Sequence, residues 1–371
     1  MNHSATEDLR ATVRAAVRGL LALPILTAAW GCHEAPARED FSRYPSGLEA
    51  REAPMLAHLV AQGLLPPLEE RLPENPLVAR HEYDGYEGPG VYGGTWYGFH
   101  ADPWLGAWLM VLGYDPLIRW RFDCQGLEPG LAESWEFNED GTVLTLHLRK
   151  GLRWSDGHPY TSEDFVFWYG LKNDTRVGQR PPHWCMVKDA EGVNRPMEVE
   201  APDAYTIVMR FAGPGWLMPL FLANGTNTCG DYNIPKHYMI RFHPDYNPEY
   251  KDFITFGRKN SPLQNPERPV LWPWRPVSTE KGGFRVRFER NPYYYVVDDL
   301  GRQLPYIDEI KTIFVSSPEV QVLQMLSGDV DCEFRALDLR DLDLYMMRQD
   351  RGNYRIRMWQ TGTGAEPGII L

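Results

Sequence analysis

The sequence predicts a mixed α/β fold, and three local patterns carry that expectation. Residues 131–174 read LAESWEFNEDGTVLTLHLRKGLRWSDGHPYTSEDFVFWYGLKND, a strand pair followed by a capped helix. Residues 204–210 (AYTIVMR), after the Pro202-Asp203 turn, and residues 284–290 (FRVRFER) read as further strands. Residues 318–326 (PEVQVLQML) instead set Val322, Leu323, Met325 and Leu326 on the apolar side of a helix that ends near Gly328.

Taken in chain order, the N-terminus has the form of an export signal. Arg10, Arg14 and Arg18 precede an apolar run at residues 19–29 that is broken by Pro24 and too short to span a bilayer. Met55, Leu59, Val60 and Leu64 then recur at helical spacing, and Pro66-Pro67 ends that helix. Residues 92–100 (YGGTWYGFH) form a glycine-led strand, where glycine permits either close backbone approach to a ligand or a tight packing turn.

In the central stretch Trp135 and Phe137 alternate with Glu136 and Asn138, Asp140-Gly141 supplies a turn, and Leu144, Leu146 and Leu148 alternate with Thr145, His147 and Arg149. A second turn at Asp156-Gly157 leads to Thr161, a helix cap with Asp164 at the reciprocal capping position. Phe165, Trp168 and Tyr169 follow on one helix face, suited to packing on the hairpin.

The 371 residues suffice for two or more domains, and the formal charge of −12 argues against nucleic acid or an anionic membrane surface as a partner. The 13 Trp and 19 Tyr supply stacking planes, most of them for the core. Chemistry-bearing motifs fail on spacing. The glycines at 282–283 lack the rest of a phosphate loop, the acids of 337–344 lack the EF-hand glycine and terminal Glu, and His183 with Cys185 has no second ligand pair. No cofactor is expected. His100 beside Asp102 could serve as a general base, but no motif supplies a nucleophile or second carboxylate.

The stretch at 131–174, with APMLAHLVAQGLLPPLEERLPENPLV at 53–78, resembles the extracellular solute-binding proteins of ABC importers, family 5. Ile234-Pro235-Lys236-His237, Asn291-Pro292-Tyr293-Tyr294-Tyr295 and Asp329-Val330-Asp331 match shorter family segments in the same order, whereas residues 272–284 replace a tighter glycine turn of the family. The resemblance implies an α/β, periplasmic-binding-protein type II-like bilobal fold with the second lobe incomplete. It also implies a non-enzymatic protein that carries oligopeptides or similar solutes to the transmembrane subunits of a permease, with weak or no binding expected of this chain as an N-terminal fragment, because a hinged cleft needs both lobes. An oligosaccharide- or metal-chelate-binding relative and a secreted hydrolase are the alternatives.

The same resemblance divides the chain. Residues 1–32 are the signal peptide, 33–90 a helical extension and connector, 91–115 with 196–312 the first lobe, 116–195 a peripheral subdomain, and 313–371 the start of a truncated second lobe. The expected ligand-binding residues are His100, Asp102, Trp104, Trp272, Trp274, Thr361, Gly362 and Thr363. Residues 29–32 (AWGC) resemble a lipoprotein signal, departing from it at Ala29 and Trp30, which makes Cys32 the expected lipid anchor to the outer face of the membrane, with plain cleavage or retention as alternatives. Cys124, Cys185, Cys229 and Cys332 form an even remainder that permits disulfides of open connectivity.

Overall fold

The computed structural model describes residues 51–79, 89–101, 112–121, 125–177, 182–224, 232–280, 284–333 and 337–359, and the backbone of 368–370. The strands of its two four-stranded sheets, numbered in chain order, are β1 (Thr95–His100), β2 (Ala132–Phe137), β3 (Val143–Leu148), β4 (Glu198–Asp203), β5 (Thr206–Arg210), β6 (Trp274–Thr279), β7 (Arg285–Arg290) and β8 (Glu309–Phe314). The α-helices among the described residues are α1 (Pro54–Ala61), α2 (Leu68–Arg71), α3 (Ser162–Asn173), α4 (Met218–Leu222), α5 (Lys236–Met239), α6 (Ile254–Lys259), α7 (Pro318–Ser327) and α8 (Leu342–Gly352).

The first sheet has the order β2-β3-β5-β4 and is antiparallel throughout. Its hairpin turn is held by Asp140, whose Oδ1 accepts from the Thr142 amide at 3.1 Å, and by Gly141 at φ 71°. Strand alternation sends Leu144, Leu146, Leu148, Ile207 and Met209 inward, each 1% exposed or less. Helix α3 covers that face with Phe165 and Trp168, both fully buried, and with Tyr169. The segment at 198–210 therefore shares a core with the hairpin, and the division expected at 195/196 falls within the span of one sheet.

The start of α3 is built as its sequence predicts. The Thr161 side chain accepts from the Asp164 amide, while the Asp164 carboxylate accepts from the Thr161 amide at 3.0 Å. The same buried carboxylate also accepts from the Lys236 amide at 2.9 Å and Trp154 Nε1 at 3.3 Å, so one side chain ties α3 to α5 and to the preceding turn. In that turn Gly157 has φ 88°, and a Cβ there would lie 2.7 Å from Tyr293 Oη. Gly157→Ala combines left-handed strain with a clash, and thermal unfolding is expected to report a loss of about 1–3 kcal/mol.

The second sheet runs β6-β7-β8-β1, with β8 and β1 parallel and the other pairs antiparallel. One face packs Val286, Phe288 and Ile310 with Leu112 and the partly buried Trp96 and Trp274. On the other face Phe99 and Ile313 pack with Met325 of α7 and Tyr345 of α8. Ser317 caps α7 through the Val320 amide, and Gly328 at φ 80° ends it. Strand Arg357–Trp359 pairs antiparallel with Gly368–Ile370.

Candidate solute-binding site

His100 is the last residue of β1. The residue is 3% exposed, with Nδ1 2.9 Å from Thr312 Oγ1 on the neighbouring β8 and its ring centroid 5.7 Å from that of Phe314. Parallel pairing of Phe314 with His100 explains the contact, because residues in register on adjacent strands share a face. Asp102 and Trp104 lie outside the described residues, as do Thr361, Gly362, Thr363 and Cys32.

Trp272 and Trp274 are placed at the other end of the sheet. Trp272 is 9% exposed and its carbonyl accepts from Asn291 Nδ2 at 2.8 Å. Trp274 donates from Nε1 to the Ile307 carbonyl at 2.9 Å and meets Trp96 edge-on at 6.3 Å. Trp96 precedes His100 by four positions of β1, a run of about 13 Å at strand rise. The structure therefore puts His100 and Trp274 in one sheet without bringing them together.

A hollow of about 410 Å³ lies beside the same sheet, lined by its strands and by Gln324 of α7 with Asp329 and Val330 that follow it. Its apolar lining includes Val286, Ile313 and Val330, while Tyr97, Arg287 and Lys311 stand in one cross-strand row. Arg287 Nη1 is 2.8 Å from both Glu289 and Glu309, and Lys311 Nζ is 2.8 Å from Glu309. The Lys311 hydrogen bond, with those of Arg287 and Thr95, holds the Glu309 carboxyl below its ordinary value. Two cations and two carboxylates thus neutralise one another along the row. Sequence reasoning missed this hollow. Its signal was the alternation of charged and apolar residues in RVRFER and EIKTIF, two strands whose pairing joins them into a single face.

A second feature that the sequence did not expose is a buried acid. Asp115 is 1% exposed; its Oδ1 accepts from Tyr295 Oη at 2.9 Å and Tyr294 Oη at 3.4 Å, and Oδ2 faces no partner. Burial pushes its carboxyl up to about 7, against the pull of Arg119 and the two hydroxyls. Cys185 and Cys332 carry free thiols rather than the disulfides their number permits, and burial raises both. Among the described residues no group of three or more His, Cys, Asp or Glu is arranged to hold a metal ion, and no helix is long and apolar enough to cross a membrane.

Comparison with known proteins gives this geometry its context. Residues 126–362 match the profile of bacterial extracellular solute-binding proteins, family 5 middle. The periplasmic alpha-galactoside-binding protein of Rhizobium meliloti (strain 1021) is 30% identical over 299 residues, 74% of this chain and 40% of the relative. Among solved structures, an oligopeptide-binding protein OppA superposes with a TM-score of 0.73 at 36% identity, covering 84% of this chain and 49% of the other. The periplasmic binding protein MelB from Agrobacterium fabrum C58, in complex with stachyose, gives a TM-score of 0.65 at 26% identity over 85% of this chain and 47% of the other. The chain thus spans less than half the length of each of these proteins. With the profile covering well over half of its residues, the chain belongs to the bacterial extracellular solute-binding proteins of family 5.

Proposed function

We propose that the protein is the solute-binding component of an ABC importer, working outside the cytoplasmic membrane and delivering an oligopeptide or similar solute to permease transmembrane subunits. The observation that carries this reading is the family match over residues 126–362. The superposition on OppA at 36% identity supports a peptide as the guest. An oligosaccharide is the second reading, supported by the 299-residue match to the alpha-galactoside-binding protein and by the likeness to MelB with stachyose.

In this reading Asp102 and Trp104, two and four positions after His100 in the sequence, contact the solute. Trp272 and Trp274 offer aromatic surface, Thr361, Gly362 and Thr363 offer polar contacts, and Cys32 carries a lipid anchor. Aromatic planes serve peptide side chains and sugar rings alike, which is why both solute classes fit one scaffold.

A thermal-shift panel of short peptides and α-galactosides separates the two classes. A ligand at about 100 times its Kd adds about 2.7 kcal/mol to the native state and raises Tm by several degrees. Stabilisation by peptides alone or by galactosides alone assigns the class, and a flat response across both panels contradicts the reading.

A further inference from the structure

The turn at 154–160 meets α5 through two histidine rings. His158 and His237 lie face to face with centroids 3.8 Å apart and planes 6° from parallel. His237 Nε2 is 2.8 Å from Asp156 Oδ2, and its Nδ1 is buried facing no hydrogen-bond partner. A neutral His237 therefore donates from Nε2 to the carboxylate and keeps a bare lone pair at Nδ1. His158 is exposed, with Nδ1 3.0 Å from the Pro159 carbonyl, so Nδ1 is its donor and Nε2 is left to take a proton from solvent.

Other charged and titratable groups border this pair from each neighbouring element. From α3, Glu163 is engaged by Lys236 Nζ at 2.6 Å, and Asp164 is engaged by the Thr161 and Lys236 amides. Tyr293 abuts the turn at Gly157, and Arg153 donates to the Gly157 carbonyl at 2.9 Å. Asp156 is the anion that touches the stack. Burial pushes its carboxyl up, but the hydrogen bonds from His237 and the His158 amide outweigh that and hold it below the ordinary carboxylate value.

This turn is also a junction. The Ser155 amide donates to the Val270 carbonyl at 2.9 Å, and the Val270 amide donates to Ser155 Oγ at 3.1 Å, just ahead of the segment that leads into β6. What happens at the stack therefore bears on the contact between the first sheet's core and the second sheet.

We propose that the stacked His158 and His237, with Asp156, form an acid-released clasp that holds the 154–160 turn on α5 and opens when both rings are protonated. One imidazolium is balanced by the Asp156 carboxylate. A second leaves like charges about 4 Å apart with one anion between them, and puts an N–H at His237 Nδ1 where no acceptor waits.

Amide hydrogen exchange over residues 151–160 and 233–243, corrected for the intrinsic pH dependence of exchange, tests the clasp. Between pH 7.5 and pH 5.0 the wild-type rates are expected to rise about tenfold, while the core strands at residues 198–210, the reference, hold steady or slow as Asp115 strengthens the fold toward acid. His158→Phe keeps a flat ring that cannot charge and is expected to hold that ratio near one; His158→Gln, at an exposed position, is the second variant should the first perturb the fold. Asp156→Asn is expected to move the opening to higher pH. The buried Asp115 cannot mimic the effect, because its linkage strengthens the fold toward acid. Wild-type rates that do not accelerate, or an acceleration that persists in both His158 variants, overturn the proposal.

Discussion

Trp168→Ala is expected to destabilise the protein by about 3–5 kcal/mol, the cost of emptying a tryptophan-sized site in a close-packed core. Trp168 is fully buried, stacks on Trp184 at 5.7 Å and 10°, and meets Phe165 at 5.1 Å and Tyr232 at 6.0 Å. These partners come from α3 itself, from the short helix His183–Cys185 and from the approach to α5, so the cavity opens where several connections converge. Backbone elements on three sides resist collapse into it, which places the cost toward the upper end of the range. Thermal unfolding by circular dichroism should show Tm falling by roughly 5 °C. Leu323→Ala is the matched control: at 64% exposure its loss should stay within about 0.5 kcal/mol.

Stability should fall as pH rises from about 4 to about 7, and Asp115→Asn should abolish that slope. The sign follows from linkage. Asp115 is held near 7 in the folded protein, above its ordinary value of 3.8, so its favourable contribution is complete below pH 4 and is lost as pH climbs through 7. A gap of about three units amounts to roughly 4 kcal/mol between the two limits. At pH 8 the Asn variant, which places no charge between Tyr294 and Tyr295, should be the more stable protein, and the two should converge toward pH 4. Urea titrations across that range measure the difference, and a wild-type advantage at pH 8 would show that Arg119 compensates the buried charge in full.

What was legible in the sequence was local. The Thr161–Asp164 capping box depends on two side chains three positions apart, and the Asp140-Gly141 hairpin on a turn and the alternation that flanks it, so both are built as read. The parallel pairing of β8 with β1 joins strands more than 200 residues apart, and no short-range pattern announces it. The same distance hid the site. Asp115 meets Tyr294 and Tyr295 across some 180 positions, and the row of Tyr97, Lys311 and Arg287 exists only once three strands are in register. Trp274, read as a ligand-facing aromatic, has its indole N–H engaged by the Ile307 carbonyl, 33 positions along the chain. His100 was placed correctly at a strand end, yet its burial beneath Phe314 follows from register rather than from its neighbours in sequence.

Solute capture without chemistry is the core of this account, and a calorimetric titration with recovery of the ligand tests it most directly. The peptide or α-galactoside that most raises Tm is titrated into the protein, and the ligand is then released and analysed by mass spectrometry. The account predicts saturable one-to-one binding and a ligand recovered intact. Shortened peptides or sugars in the released fraction would mark a hydrolase instead, and an absence of binding heat with any solute that shifts Tm would contradict the binding role.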